Sequence, residues 1–293
     1  MNQKATVIGA GRMGSALATA LFNKGFATTV WNRTASKTEP LTRLGLRAAQ
    51  SVLEAVNAAD VIIVNILDYN STKQLLRHPQ IESALRGRIL VQLTTGTPDE
   101  AKEMESWARP HGIEYLDGAI LSYPINIGKP DAYVLYSGPE ELFNRVKPVL
   151  LAFGDNAMLV GNEIGQASAL DIAVMAAFCA NTMFGFLYGY IVCEAEKLSV
   201  GKYMQFVKSL MPVVEMTLND MCGKLQQKDY SGDQASLEAW SVAPKELVEW
   251  CREHGVDHSM IKPQLLLFEK AIKAGKGQSD FSYFYEVLKG GSN

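Results

Sequence analysis

Gly9-Ala10-Gly11-Arg12-Met13-Gly14 carries three glycines at the spacing that lets a backbone close on a pyrophosphate. The motif follows the apolar run Ala5 to Ile8 and opens the helical pattern Ser15 to Lys24, so it sits at a strand-to-helix turn. There Gly9 permits the tight turn, Gly11 the approach of phosphate and Gly14 close packing of helix on strand. Arg12 and Met13 begin a helix whose unpaired N–H groups face the anion. Without that context the six residues would be a chance loop; with it they predict a dinucleotide site. A second cluster, Trp31-Asn32-Arg33-Thr34 with Lys37 one turn later, ends the next apolar run. A site selective for NAD places a carboxylate there for the ribose 2′-OH. This chain has none. The planar fork of Arg33, the hydroxyl of Thr34 and the point charge of Lys37 suit a 2′-phosphate. Asn32, Arg33, Thr34 and Lys37 therefore join the expected cofactor-binding residues, and the expected cofactor is NADPH. The competing reading is two ordinary exposed cations at the start of a helix.

These residues need a parallel sheet to position them, and the first half of the chain has its pattern. Ala5 to Ile8, Thr28 to Trp31, Val61 to Val64 and Ile89 to Leu93 are strand-like runs separated by segments of helical composition, a βαβ series. Leu116 to Ala119, Tyr133 to Tyr136 and Met158 to Val160 extend it, with a helical stretch from Pro139 to Phe153. Strand signals then stop. An apolar helix from about Gly165 to Lys197 leads into helical segments near Lys202 to Gln227, Gln234 to His254 and Ser259 to Lys273. The expected class is α/β, with a Rossmann domain over residues 1–161, a long interdomain helix over 162–197 and an all-helical domain over 198–293.

Composition narrows the function classes. With 293 residues, 47% hydrophobic and 20% charged, the chain can bury a substantial core. Its 28 Lys plus Arg against 31 Asp plus Glu leave no broad basic surface for nucleic acid. Cys179, Cys193, Cys222 and Cys251 are too scattered for a redox pair or a zinc knuckle, and no secretory pattern precedes them, so reduced thiols in a cytoplasmic protein are expected. His254 and His258 lack the H-E-x-x-H pattern, and no metal site is expected. Ile172 to Cys193 runs 22 residues without a charge and contains the small pair Gly185 and Gly189. Its flanks are acidic, at Asp171, Glu194 and Glu196, and no Lys/Arg cluster marks one side of a bilayer. A helix buried between domains or subunits is favoured over a membrane span.

The glycine motif, the Asn32-Arg33-Thr34 triplet, Leu93-Thr94-Thr95-Gly96-Thr97-Pro98 and the stretch Gly165 to Asp171 before an apolar helix together resemble the β-hydroxyacid dehydrogenase superfamily, most closely its imine reductases and reductive aminases. The resemblance covers essentially the whole chain. It implies a helical domain exchanged between two subunits of a homodimer, each active site being built from both chains. Hydroxyacid dehydrogenases hold the substrate carboxylate with a Ser-Gly-Gly segment and use a lysine near the start of the long helix. Here Leu121-Ser122-Tyr123 follows Asp117-Gly118-Ala119-Ile120, and the lysine position falls on Asp171. An anionic Asp171 repels a carboxylate substrate and attracts a cation. Hydride transfer to C=N is easiest when the nitrogen is protonated, and a carboxyl group there can stabilise the iminium or deliver its proton. The competing reading makes Asp171 a helix-terminal acid.

The same resemblance supplies the remaining candidates. On an α-helix Met175, Phe178, Cys179, Thr182 and Phe186 share the face of Asp171, and Met175 and Phe178 are assigned to the substrate pocket. Cys179 replaces the tyrosine that reductive aminases often place eight residues after the Asp. Thr95, grouped with the cofactor-binding residues, stands where some relatives have Asn. Tyr123 is either a substitute donor beside Asp171 and Cys179 or a pocket-lining aromatic. Trp240 either caps the pocket from the second subunit, with cation-π contact to an iminium, or packs in a core. The expected activity is NADPH-dependent reduction of imines, extending to reductive amination of a carbonyl with an amine. Its rivals are another superfamily oxidoreductase acting on small aldehydes or hydroxyacids, and a non-catalytic NADPH-binding sensor.

Overall fold

Val61–Val64 and Ile89–Gln92 are buried at every position, as a parallel strand covered by helices on both faces must be. In the computed structural model, which describes residues 4–290, these are the central strands of an eight-stranded sheet. The strands are β1 Lys4–Ile8, β2 Ala27–Trp31, β3 Arg47–Ala48, β4 Val61–Val64, β5 Ile89–Gln92, β6 Glu114–Ile120, β7 Tyr133–Ser137 and β8 Asn156–Gly161. Their order is β3-β2-β1-β4-β5-β6-β7-β8. All pairs are parallel except β6 with β7. The strand order reverses direction between β1 and β4, and ligands of such sheets bind outside the carboxyl ends at that switch. One apolar cluster forms around Leu17, Leu21, Val91 and Phe153. Another forms around Ile62, Leu76, Leu90 and Met104. Alternate apolar side chains of β1, β4 and β5 feed one or the other. The two-residue β3 had no signal in the sequence because so short a run has no period to read.

By its internal contacts the chain divides into two units, one up to Tyr188 and one from Gly189 onward. The outermost residues of the expected domain bounds, 1–3 and 291–293, lie outside the described residues. The apolar helix runs from Gln166 to Ala195 and is the one helix among the described residues long and apolar enough to cross a membrane. It is not uniformly α-helical: Ile172–Cys179 is π-helix. A wider turn advances by less than the ~100° per residue of an α-helix, so over this stretch the faces shift by roughly a right angle or more. Phe178, within this stretch, is 48% exposed in the single chain. Met175 and Cys179 are half-buried.

The second unit is helical apart from an isolated bridge between Ser231 and Ser279. Its longest helix, Val200–Gln227, starts at Ser199, whose side chain accepts from the Lys202 N–H, and ends with Lys228 in the left-handed region. Near that end the largely buried Lys224 ammonium pairs with Asp233 at 2.8 Å, Asp280 at 3.1 Å and Asp220 at 3.2 Å. These carboxylates push its pKa upward, the hydrogen bond to Asp233 most of all. Leu237, Phe268 and Phe284 form a small core.

Candidate functional site

The carboxyl ends of β1, β2 and β4 enclose a crevice of about 430 Å³. Gly9, Gly11, Arg12, Met13, Asn32, Arg33, Thr34 and Lys37 all line it, so the two clusters read from the sequence meet in one place. The loop is held by main-chain bonds to both neighbouring strands' ends: Gly9 N–H donates to Trp31 at 2.8 Å, and Asn65 N–H to Ile8 at 2.9 Å. Gly9 has φ +116°, and a side chain there would strike the Asn65 carbonyl. Gly14 does not line the crevice; a Cβ on it would meet the Gly9 carbonyl, so its role is the close approach of helix and loop. Above Gly11 the space is open. The helix Arg12–Asn23 has no side-chain cap and no acid in its first turn, leaving its leading N–H groups for a ligand anion. A pyrophosphate fits this cradle.

Asn32 has a different task from its neighbours. Its Oδ1 accepts from Ala10 N–H at 2.9 Å and its Nδ2 donates to the Thr34 carbonyl at 2.9 Å. The side chain ties the glycine loop to the segment bearing Arg33. Arg33, Thr34 and Lys37 are exposed. Among the described residues neither Arg33 nor Lys37 has an ion-pair partner, so both charges are available to a phosphate. The opposite wall consists of Asn65, Ile66, Leu67, Ser71 and Leu75, with Trp31. Sequence reasoning missed these residues. The signal was the switch point itself, since the residues after β4 must face those after β1. Thr95 is exposed beyond the end of β5 and lies outside this lining. Its neighbour Thr94 is buried, and Thr94 Oγ1 accepts from Ile66 N–H at 3.2 Å.

Asp171 lies on the first turns of the apolar helix and is 9% exposed. Burial raises its pKa above the ordinary aspartate value, and the nearby charge of Asp117 adds to the effect. Asp117 is fully buried on β6 and anchors the start of the same helix. Ser168 donates to it from both its N–H, at 3.1 Å, and its hydroxyl, at 2.8 Å. The Ser137 hydroxyl donates at 3.0 Å and itself accepts from Ala167 N–H at 3.0 Å. Neither acid has an ion-pair partner among the described residues. A buried carboxyl near the start of an apolar helix, with the charge of a second acid acting on it, is suited to retain a proton and give it up in a reaction.

Tyr123 lies past the end of β6 and is 67% exposed. Trp240 belongs to the second unit, edge-to-face with Phe281 at 5.6 Å and half-exposed. No cluster of three His, Cys, Asp or Glu side chains suited to a metal occurs among the described residues.

Residues 4–161 match the family model for the NAD binding domain of 6-phosphogluconate dehydrogenase, and residues 163–290 match that for the NADPH-dependent reductive aminase-like C-terminal domain. The NADPH-dependent reductive aminase of Aspergillus oryzae is 31% identical over 301 residues, covering 100% of this chain and 99% of that protein. Among solved structures, the imine reductase from Myxococcus stipitatus in complex with NADP+ superposes with a TM-score of 0.91 at 42% identity, covering 97% of this chain and 99% of that one. The reductive aminase from Aspergillus terreus in complex with NADPH4, cyclohexanone and allyl amine gives a TM-score of 0.89 at 30% identity, over 98% and 100% of the two chains. The likeness runs through both the nucleotide crevice and the helical region, and the chain belongs to the imine reductase and reductive aminase family.

Proposed function

We propose that this protein is an NADPH-dependent reductase that converts imines to amines, with reductive amination of a carbonyl and an amine as an extension of the same chemistry. The observation that carries the reading is Asp171, a buried carboxyl where a hydroxyacid dehydrogenase needs a lysine. In this reading the glycine loop and the N-terminus of Arg12–Asn23 hold the pyrophosphate, and Arg33, Thr34 and Lys37 take the 2′-phosphate. NADPH, when bound, supplies hydride to the C=N carbon. Asp171 gives its proton to the imine nitrogen and then faces the iminium as a carboxylate, which stabilises the cation until it is reduced. Tyr123, Met175, Phe178 and Cys179, with Trp240 from a second subunit, are the proposed surroundings of the substrate, and Thr95 remains a proposed neighbour of the cofactor. We divide the chain for these purposes at 1–161, 162–197 and 198–293, and place the protein in the cytoplasm on its four free thiols.

The test is NADPH consumption against cyclic imines, ketones with amines, and aldehydes, alongside hydroxyacids with NADP+. Turnover should be greatest with imines. Greater turnover of hydroxyacids or aldehydes would support the rival oxidoreductase, and binding without any turnover a sensor.

The assembly proposed is a homodimer. Met183 is 53% exposed and Leu187 54% exposed on the apolar helix, and Phe206, Leu210 and Met216 of Val200–Gln227 are more than half exposed in the single chain. At about 25 cal/mol per Å² of apolar surface, leaving two such helices in water is costly. Their coverage by a second copy requires a large apolar interface. Light scattering at micromolar concentration should return twice the 32.1 kDa chain mass; an active, monodisperse monomer would refute the exchanged architecture.

A further inference from the structure

The geometry points to Asp117 as a positioning residue for Asp171: a buried acid on β6 that clamps the first turn of the apolar helix through Ser168, one turn ahead of Asp171. This inference deepens the proposed reading of Asp171 and rests on it. The helix begins at Gly165, which supplies no side-chain cap. Its leading donors are taken instead by residues distant in sequence. Ala167 N–H goes to the Ser137 hydroxyl and Ser168 N–H to Asp117. The proton directions are fixed by this arrangement. Ser137 Oγ accepts from the main chain, so its one hydrogen is free for Asp117 Oδ2, and Ser168 Oγ–H serves Oδ1. Every group bonded to Asp117 is thus a donor.

The elements packed on Gln166–Asp171 are β6, β7, β8, the helix Pro98–Ala108 and the π-helical turn. They bring Tyr115 and Asp117, Tyr133 and Tyr136, Glu100 and Cys179 as the titratable groups of that neighbourhood, with Glu105, Asp99, Glu103, Lys102 and Glu114 farther along the same elements. Tyr69, from the helix Tyr69–Leu76, adds a buried hydroxyl that interacts with Tyr115, Asp117 and Ser168. Of all these, Asp117 alone contributes a charge that acts on Asp171, in the sense that makes the loss of its proton harder. Rigid attachment and like charge come from one residue. The clamp sets where the Asp171 carboxyl stands, and the charge sets how strongly it keeps its proton.

The test is Asp117→Asn, read by ¹³C-carboxyl NMR titration of Asp171 and by the pH profile of kcat/KM for an imine. Removing the like charge should move the Asp171 titration to lower pH. The corresponding limb of the profile should follow in the same direction whether Asp171 works as acid or as carboxylate. A titration that does not move while the fold is intact overturns the inference. A uniform loss of rate with no shift of the limb does the same, by reducing Asp117 to a structural role. Should Asp117→Asn fail to fold, Ser137→Ala combined with Ser168→Ala strips the hydroxyl donors and keeps the acid. It should lower kcat/KM about tenfold with NADPH affinity unchanged, and full activity in it would overturn the clamp. Asp171→Asn, assayed in parallel, separates the two levels. Its retained activity would defeat the proposed role of Asp171, whereas the NMR titration judges Asp117 independently of turnover.

Discussion

NADPH should bind more tightly than NADH by roughly 1–3 kcal/mol, and Arg33→Ala should remove most of that preference by weakening NADPH while leaving NADH nearly unchanged. The reason is local. Arg33 and Lys37 line the crevice without an ion-pair partner among the described residues, and no acid occupies the position that would bind a 2′-hydroxyl. A 2′-phosphate dianion gains charge-assisted bonds there that a hydroxyl cannot make. The preference should also shrink as salt rises, because Arg33, Thr34 and Lys37 are exposed and a charge contact in water is screened over about 10 Å at 0.1 M ionic strength. Titrating each cofactor by its fluorescence at two salt concentrations checks both statements. Equal dissociation constants for the two cofactors in the unaltered protein would sink the assignment.

Arg33 was legible in the sequence because its place is fixed by one strand and one motif, both short-range. Asn32 was legible as a neighbour of the crevice, yet its use as a brace between Ala10 and Thr34 depends on a loop geometry that residue types do not specify. The wall from Asn65 to Leu75 was hidden for a different reason. It faces the glycine loop only because β4 pairs with β1, and that order is a property of the sheet. The strand runs themselves were readable, since continuous burial selects Val, Ile and Leu at every position. The apolar helix reversed this advantage. A segment apolar on all sides has no periodicity, so nothing distinguished α from π turns, and the 3.6-residue spacing does not hold across Ile172–Cys179. Asp117 was farther out of reach. Its partners Ser137 and Ser168 lie 20 and 51 residues away, and pairing them requires the antiparallel register of β6 with β7 together with the docking of the helix.

Asp171→Ala should lower kcat/KM for imine reduction by on the order of 10²-fold with NADPH affinity nearly unchanged. Asp171→Asn separates charge and proton from shape. The amide keeps the volume and can hydrogen-bond, but it carries neither a negative charge nor a transferable proton, so it should be almost as impaired as the alanine variant. Stability should move the other way. Burial raises the folded-state pKa of Asp171, and the charge of Asp117 raises it further. The stability contributed by its proton is therefore fully present below the unfolded value near ~3.9 and is lost as pH rises through the folded value. Replacing the acid by Asn removes that loss, so Asp171→Asn should raise the melting temperature at pH 8 and raise it progressively less as the pH falls toward 4. A variant that melts higher and reduces imines more slowly would mark Asp171 as a residue whose burial is unfavourable to folding and useful to the chemistry. Near-full imine reduction by both Asp171→Ala and Asp171→Asn would make it a helix-terminal acid, and the proton would then have to come from water or from another side chain, with Tyr123 the next to be replaced.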